Sequence, residues 1–315
     1  MKPSMPLPLP LPLALPGLNT APAGGRPLDG PATAVMLLLC ALWGLQQVSL
    51  KAIAAEASPM LMVALRSAIA LVLVAGLMRW RGEVFARGHW RAGALAGGLF
   101  GLEFLLVTLA LQLTQAAHVV VFLYTSPLFT ALGLHLLQPA ERLRRPAWCG
   151  LVLAFGGLAV AFLGGGAASQ GALLGDLLAV LAGAAMGATT VAIRCSRLAT
   201  APATETLGYQ LLGAVVLLLP ASALTGAWHF EPTALVWAHL AFQGLVVSFA
   251  SFLAWFWLLR RYLASRLGTF TFLTPLFGVL FGGVLLGEPL QPGFVVGSAL
   301  VLLGLAVVSR SRGGP

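Results

Sequence analysis

Residues 98–107 read GLFGLEFLLV, and Glu103 is the one ionisable side chain in that run. A carboxyl group deep in an apolar segment is costly unless it faces protein or water, and such groups mark ion or substrate paths. Ala96, Val107, Ala110 and Thr114 fall on its side of a helix, a stripe suited to a packed interface or a cavity wall. Two chemistries are open to Glu103: it could bind and release a proton, or hold a cationic or amino group of a bound molecule. The plainer alternative is a structural hydrogen bond or an ion pair with Arg66.

Arg66 lies in the next apolar segment upstream, where it could meet a substrate carboxylate, pair with Glu103 or snorkel to an interface. Trp43, Gln46 and Gln47 share one helical face. Amides give oriented hydrogen bonds without a charge, and an aromatic wall suits amphiphilic ligands. Close helix packing would use the same groups. His118 could be a second titratable group on a proton path, though a neutral, hydrogen-bonded histidine near a helix end fits it better. Tyr124, Trp255 and Trp257 read as cavity or interface aromatics, the interface being the ordinary role.

The elements that must position these groups follow from composition. Of 315 residues, 59% are hydrophobic and 9% charged. The mean hydropathy is +0.95. A soluble domain carries roughly 25% charged residues, so the solvent for this chain is a lipid bilayer. A spanning helix needs about 20 apolar residues. Ten such runs are expected, at 33–51, 59–79, 92–112, 116–138, 146–163, 173–194, 204–220, 235–258, 265–286 and 292–309. The short connections leave no room for a soluble domain. Residues 1–32 alternate Pro with Leu and then turn Gly/Ala-rich, which reads as a disordered cytoplasmic tail, with 310–315 a second short one.

The formal charge of +9 reflects basic residues grouped between apolar runs, not a patch for nucleic acid. With both ends inside, 16 of the 18 Lys and Arg fall on the cytoplasmic side, while Glu56, Asp176, Glu231 and Glu288 fall outside. Cys40, Cys149 and Cys195 stand singly, so no disulfide framework, metal site or cofactor is implied.

The chain repeats itself. Pro127 and Pro275 both precede Leu-Phe; Glu141 precedes Gly150 and Gly157 by the distances at which Glu288 precedes Gly297 and Gly304. Segments 33–163 and 173–309 therefore form two five-helix repeats. Five is odd, so the second is inverted in the membrane. Counting back from each proline, Glu103 corresponds to Ser251, which makes any site asymmetric. The prolines are expected to bend the fourth and ninth spans as hinges. The four glycines are expected to line one face of the fifth and tenth spans, a packing seam or a homodimer face. Inverted repeats are typical of secondary transporters that bind substrate near the midplane.

The stretches ALWGLQQVSLKA (41–52), SPMLMVALRSAIA (58–70), GDLLAVLAGAAMGATTVAIR (175–194) and LTPLFGVLFGGVLLGEPLQPGFVVGSALVLLG (273–304) carry a resemblance. In that order they are similar to the drug/metabolite transporter superfamily, specifically its ten-helix EamA-type exporters. The resemblance spans residues 33–309. It implies an all-α integral membrane fold and export of small metabolites, amino acids or drugs across the bacterial inner membrane. Glu103 is not part of the resemblance, and Met186 stands where the family often has a Trp-like residue. No HExxH and no GxxxxGK[ST] occurs, and Asp29 and Asp176 are the only aspartates, poorly placed for an intramembrane protease. An enzyme, an ATP-driven pump and a charged-ring channel are thus not expected, which leaves a small-molecule exporter or a lipid flippase of the same fold. Partners would be the bilayer, a small substrate, protons through Glu103 and a second copy of the chain.

Overall fold

The computed structural model describes residues 29–114, 116–162, 172–287 and 292–311. Most of the tail expected at 1–32 lies outside the described residues, but its end does not. Asp29 accepts a hydrogen bond from the Ala32 backbone N–H at 2.9 Å and caps the first helix, with a proline in that helix's first turn. Residues 30–32 therefore belong to the membrane domain.

The helices in chain order are α1 (Gly30–Ala52), α2 (Pro59–Arg81), α3 (Trp90–Ala110), α4 (Ala116–Leu123), α5 (Ser126–Leu137), α6 (Arg145–Phe162), α7 (Ala172–Arg194), α8 (Ala203–Leu224), α9 (Ala234–Ala241), α10 (Phe252–Leu259), α11 (Ala264–Phe270), α12 (Leu273–Leu286) and α13 (Pro292–Arg310). A π-helical stretch, Phe242–Ser251, joins α9 to α10. Among the described residues, nine segments are long and apolar enough to cross a bilayer, and Arg145–Ala161 is a shorter apolar helix. Together they make ten crossings. Among the described residues the fold is all-helical, with one isolated bridge between Ala57 and Phe230.

The fourth and ninth crossings, expected to bend at their prolines, are broken there, while the eighth runs unbroken through its π-helical stretch. Pro127 sits in the first turn of α5, just past a break at Tyr124 and Thr125. Pro275 is the third residue of α12, just past a break at Thr271 and Phe272. The missing N–H of each proline removes a helical bond, so the prolines part their helices where a mere bend was expected.

The packing obeys an inverted two-fold. α1 lies on α12 of the ninth crossing, and its counterpart α7 lies on α4 and α5 of the fourth. α3 lies on α8, and the π-helical stretch of the eighth crossing lies on α2. The self-related pairs, α2 with α8 and α6 with α13, also pack together. Two inverted five-helix repeats therefore build the domain. One pairing departs from the symmetry: α3 packs along α7 far more extensively than the eighth crossing packs along α1.

Glycine sets several close approaches. A Cβ at Gly157 would stand 2.7 Å from the Gly297 carbonyl oxygen, and one at Gly150 2.7 Å from that of Gly304. The seam expected from the repeat thus holds α6 against α13 within one chain. That glycine face is taken up inside the molecule. A second seam joins α3 to α8, where a Cβ at Gly101 would stand 2.7 Å from the Gly213 carbonyl oxygen. Lipid offers no hydrophobic drive between helices, so such close backbone contact supplies much of the cohesion.

Candidate functional site

A cavity lies at the middle of the bundle, walled by α1, α3, α7, α8 and α10 and by the breaks in the fourth and ninth crossings. It holds about 820 Å³ of space, its open mouth included. Its lining comes from the first, third, fourth, sixth, seventh, eighth and ninth crossings. Leu123, Tyr124 and Thr271 face the cavity at or beside the two helix breaks. Irregular backbone at membrane depth is tolerated where it lines such a space.

Glu103 is on the wall and only 6% exposed. Among the described residues, no hydrogen bond or ion pair reaches its carboxylate. Arg66 acts on it through space only. The reason is visible in Arg66 itself, which is 1% exposed and so does not snorkel to an interface. One guanidinium nitrogen, Nη1, donates to Gln46 Oε1 at 2.5 Å and to Gln243 Oε1 at 2.7 Å. The guanidinium lies 5.3 Å from the centre of the Phe104 ring. Gln243 Nε2 in turn donates to the Gln46 carbonyl oxygen at 3.0 Å. Arg66 is thus fixed behind the cavity wall by two amides and a ring, and the amide of Gln46 is aimed at it.

Trp43 stands on the other side of α1's cavity face. Its indole N–H donates to Ser251 Oγ at 2.9 Å, so the residue that corresponds to Glu103 in the second repeat is a hydrogen-bond acceptor for an aromatic wall. Trp43 meets Trp255 and Phe252 edge-on, with ring centres 5.7 and 6.2 Å apart. Phe100 continues the wall, 5.1 Å from Phe104 and 5.8 Å from Phe252. Gln47, Met186, Thr189, Thr190 and Gln210 complete it with uncharged groups. Among the described lining residues Glu103 is the sole formal charge.

His118 stands apart from this cavity. Its Nδ1 lies 3.2 Å from both oxygens of Asp176, and Thr114 Oγ1 donates to the same carboxylate at 2.7 Å. This cluster ties the α3–α4 turn to the start of α7. Its counterpart at the other membrane face is Tyr262, whose hydroxyl donates to Asp29 at 2.8 Å. Trp257 is 40% exposed, with the Arg261 guanidinium 4.2 Å from its ring centre, as befits an interface aromatic.

Beneath the cavity, towards the chain ends, Phe256 separates it from a small pocket lined by Ile193, Arg194 and Leu259. Glu141 lies behind that pocket, bonded to its Arg194. It is 2% exposed and lies in the turn after α5, and its Oε1 accepts from Arg194 Nη2 at 2.6 Å. The same carboxylate accepts from the backbone N–H groups of Ala264 and Ser265 at 3.1 and 3.2 Å, and from Ser265 Oγ at 2.9 Å. One side chain of the first repeat thereby caps α11 and pairs with α7, both of the second.

Comparison with known proteins agrees with this architecture. Residues 31–163 and 173–310 each match the EamA-like transporter family. The chain is 29% identical to an uncharacterized transporter of Archaeoglobus fulgidus, over 88% of this chain and 98% of that one. It is 24% identical to the uncharacterized transporter YoaV of Bacillus subtilis, over 84% and 91%. It is 31% identical to the uncharacterized protein PA1977 of Pseudomonas aeruginosa, over 75% and 78%. A solved crystal structure of a protein with 23% identity superposes with a TM-score of 0.77 over 89% of this chain and 96% of that one, which establishes a shared fold. Two matched repeats, ten crossings related by an inverted two-fold and a cavity between them lead to one conclusion: the chain belongs to the EamA-like transporter family.

Proposed function

We propose that this membrane transporter is a secondary exporter of small metabolites, amino acids or drugs, working by alternating access across a bacterial inner membrane with both chain ends in the cytoplasm. The observation that carries the reading is the aromatic-walled cavity between the repeats with a single unpartnered carboxylate in its wall. The uneven packing of α3 on α7 and of the eighth crossing on α1 supports it. Inverted repeats give two near-equivalent arrangements, and exchanging the close and the loose pair would expose the cavity to the opposite face. The broken fourth and ninth crossings would absorb the rocking. Glu103 would carry the coupling proton or the charge of the substrate.

The direct test is growth protection of a sensitised bacterium against toxic amino-acid analogues, nucleobase analogues and cationic drugs, with the wild type beside Glu103→Gln. Protection by the wild type alone supports both the exporter and the role of Glu103. Equal protection by both, with the same pH dependence, keeps the exporter and removes Glu103 from its coupling. A lipid flippase is the second reading. It is favoured by an apolar groove between α1 and α9 in which Leu235 and Leu285 are 50% and 58% exposed, with Ser49 and His239 hydrogen-bonded at its base, 2.7 Å apart. Absence of protection together with lipid translocation in vesicles would establish it over export.

A further inference from the structure

Resting on the reading of this cavity as the transport site, we infer a narrower substrate class than that reading names: organic cations with an aromatic or apolar body, with free carboxylates, amino acids among them, excluded.

Four observations combine. Glu103 offers a carboxylate that no protein donor occupies, in a wall where it is the sole formal charge among the described lining residues. A cationic nitrogen entering the cavity gives that carboxylate its missing partner. The rings of Trp43, Phe100, Phe252 and Trp255 surround the same space, and aromatic faces attract a cation through their quadrupole while accepting an apolar body. The remaining lining groups, Thr and Gln side chains with Met186, orient a ligand without adding charge.

The fourth observation removes the alternative. A substrate carboxylate would need a cation, and the near one is Arg66. That guanidinium is 1% exposed, is bonded to Gln46 and Gln243, and lies against Phe104. Only Nη1 makes those bonds, and Nε has no partner among the described residues, so what keeps a substrate carboxylate from Arg66 is its place behind the wall, outside the cavity lining. A carboxylate ligand would meanwhile stand beside Glu103, charge against like charge. Arg66 thus works as a positioning residue for the wall, and its attraction for Glu103 is through space and leaves the carboxylate's own hydrogen-bonding positions open.

The experiment uses the full-length protein and probes of similar body and different charge: tetraphenylphosphonium and phenethylamine as cations, phenylalanine as the zwitterion, and 3-phenylpropionate as the anion. Binding is read from quenching of the cavity tryptophans in detergent. Transport is read by counterflow in proteoliposomes, which needs no knowledge of the coupling ion. The expected result is binding and exchange of the two cations, with at least about tenfold weaker binding of the anion and zwitterion. Glu103→Gln should lower cation exchange by about tenfold or more, with Glu103→Asp intermediate. Exchange of phenylalanine or phenylpropionate at rates matching the cations would overturn the charge selection while leaving a transporter. Binding of the cations without exchange would uphold the selection and overturn transport through this cavity. Failure of all four probes to bind folded wild-type protein would overturn the selection outright. The wild-type comparison stands even if a Glu103 variant does not fold.

Discussion

Glu141→Ala is the sharpest perturbation of the transport cycle. The residue touches nothing in the cavity, yet its carboxylate gathers the Arg194 guanidinium, two backbone N–H groups and one hydroxyl from the opposite repeat. In the proposed cycle, opening the cavity towards the chain ends would pass Phe256 and part this cluster, so the bonds would hold that end closed. Removing one partner of a buried ion pair costs about 3–5 kcal/mol. Taking about 3 kcal/mol as the share specific to the closed end, the open population should rise by about 150-fold. Ile193, 4% exposed beside Arg194, is the reporter. In a chain with Cys40, Cys149 and Cys195 replaced, Ile193→Cys should react with a membrane-impermeant maleimide at least about tenfold faster once Glu141→Ala is added. A rate within about twofold of the parent, with the protein folded and its melting temperature lowered, would refute the gate and leave Glu141 as a structural cap on α11.

Other perturbations separate packing from function. Gly157→Leu drives a side chain into the Gly297 backbone and should lower the melting temperature sharply, whereas Gly156→Leu, with nothing within 4 Å, should leave it unchanged. Equal effects from both would show that the α6–α13 seam does not hold the domain. Trp43→Phe keeps the aromatic wall and removes the 2.9 Å bond to Ser251, at a cost of about 1 kcal/mol in detergent stability. Ser251→Ala also removes its 2.6 Å bond to the Val247 carbonyl, so the two losses should fall short of additive by about 1 kcal/mol; additive losses in that double-mutant cycle would mean the Trp43 bond is not formed. Arg66→Met, which leaves the Gln46 and Gln243 amides without their donor, should lower stability by about 3 kcal/mol or more. Arg66→Lys should recover only part of it, since an ammonium cannot reproduce the planar fork. Full recovery by Lys, measured by thermal unfolding, would mean that the charge alone matters.

Much of this was legible in the sequence because lipid imposes simple rules. Ten apolar runs, two matched prolines and a repeated Glu-to-Gly spacing sufficed for the ten crossings and their inversion, and Glu103 stood out as a lone charge. The aromatic wall did not, because Tyr124 and Trp255 look the same in an apolar run whether they face lipid or a cavity. Gln210 and Gln243 carried a readable signal, each an amide alone among apolar neighbours in LGYQLLGAV and LAFQGLV, and a search for isolated amides would have found them. The Gly97–Gly101 spacing that seats α3 on α8 was equally present in GGLFG. The partner of Arg66 was not readable, since three side chains from three crossings converge on it. Nor was the π-helical stretch, which offers no residue pattern of its own.

The central claim is that one cavity between the repeats is reached in turn from both faces of the membrane. Met186, half-buried on the cavity wall, is the position to test it. With the native cysteines replaced, Met186→Cys should react with an impermeant thiol reagent applied to either face of sealed vesicles, and tetraphenylphosphonium should protect it from both. Reaction from one face only, under every condition that supports exchange, would contradict alternating access around this cavity.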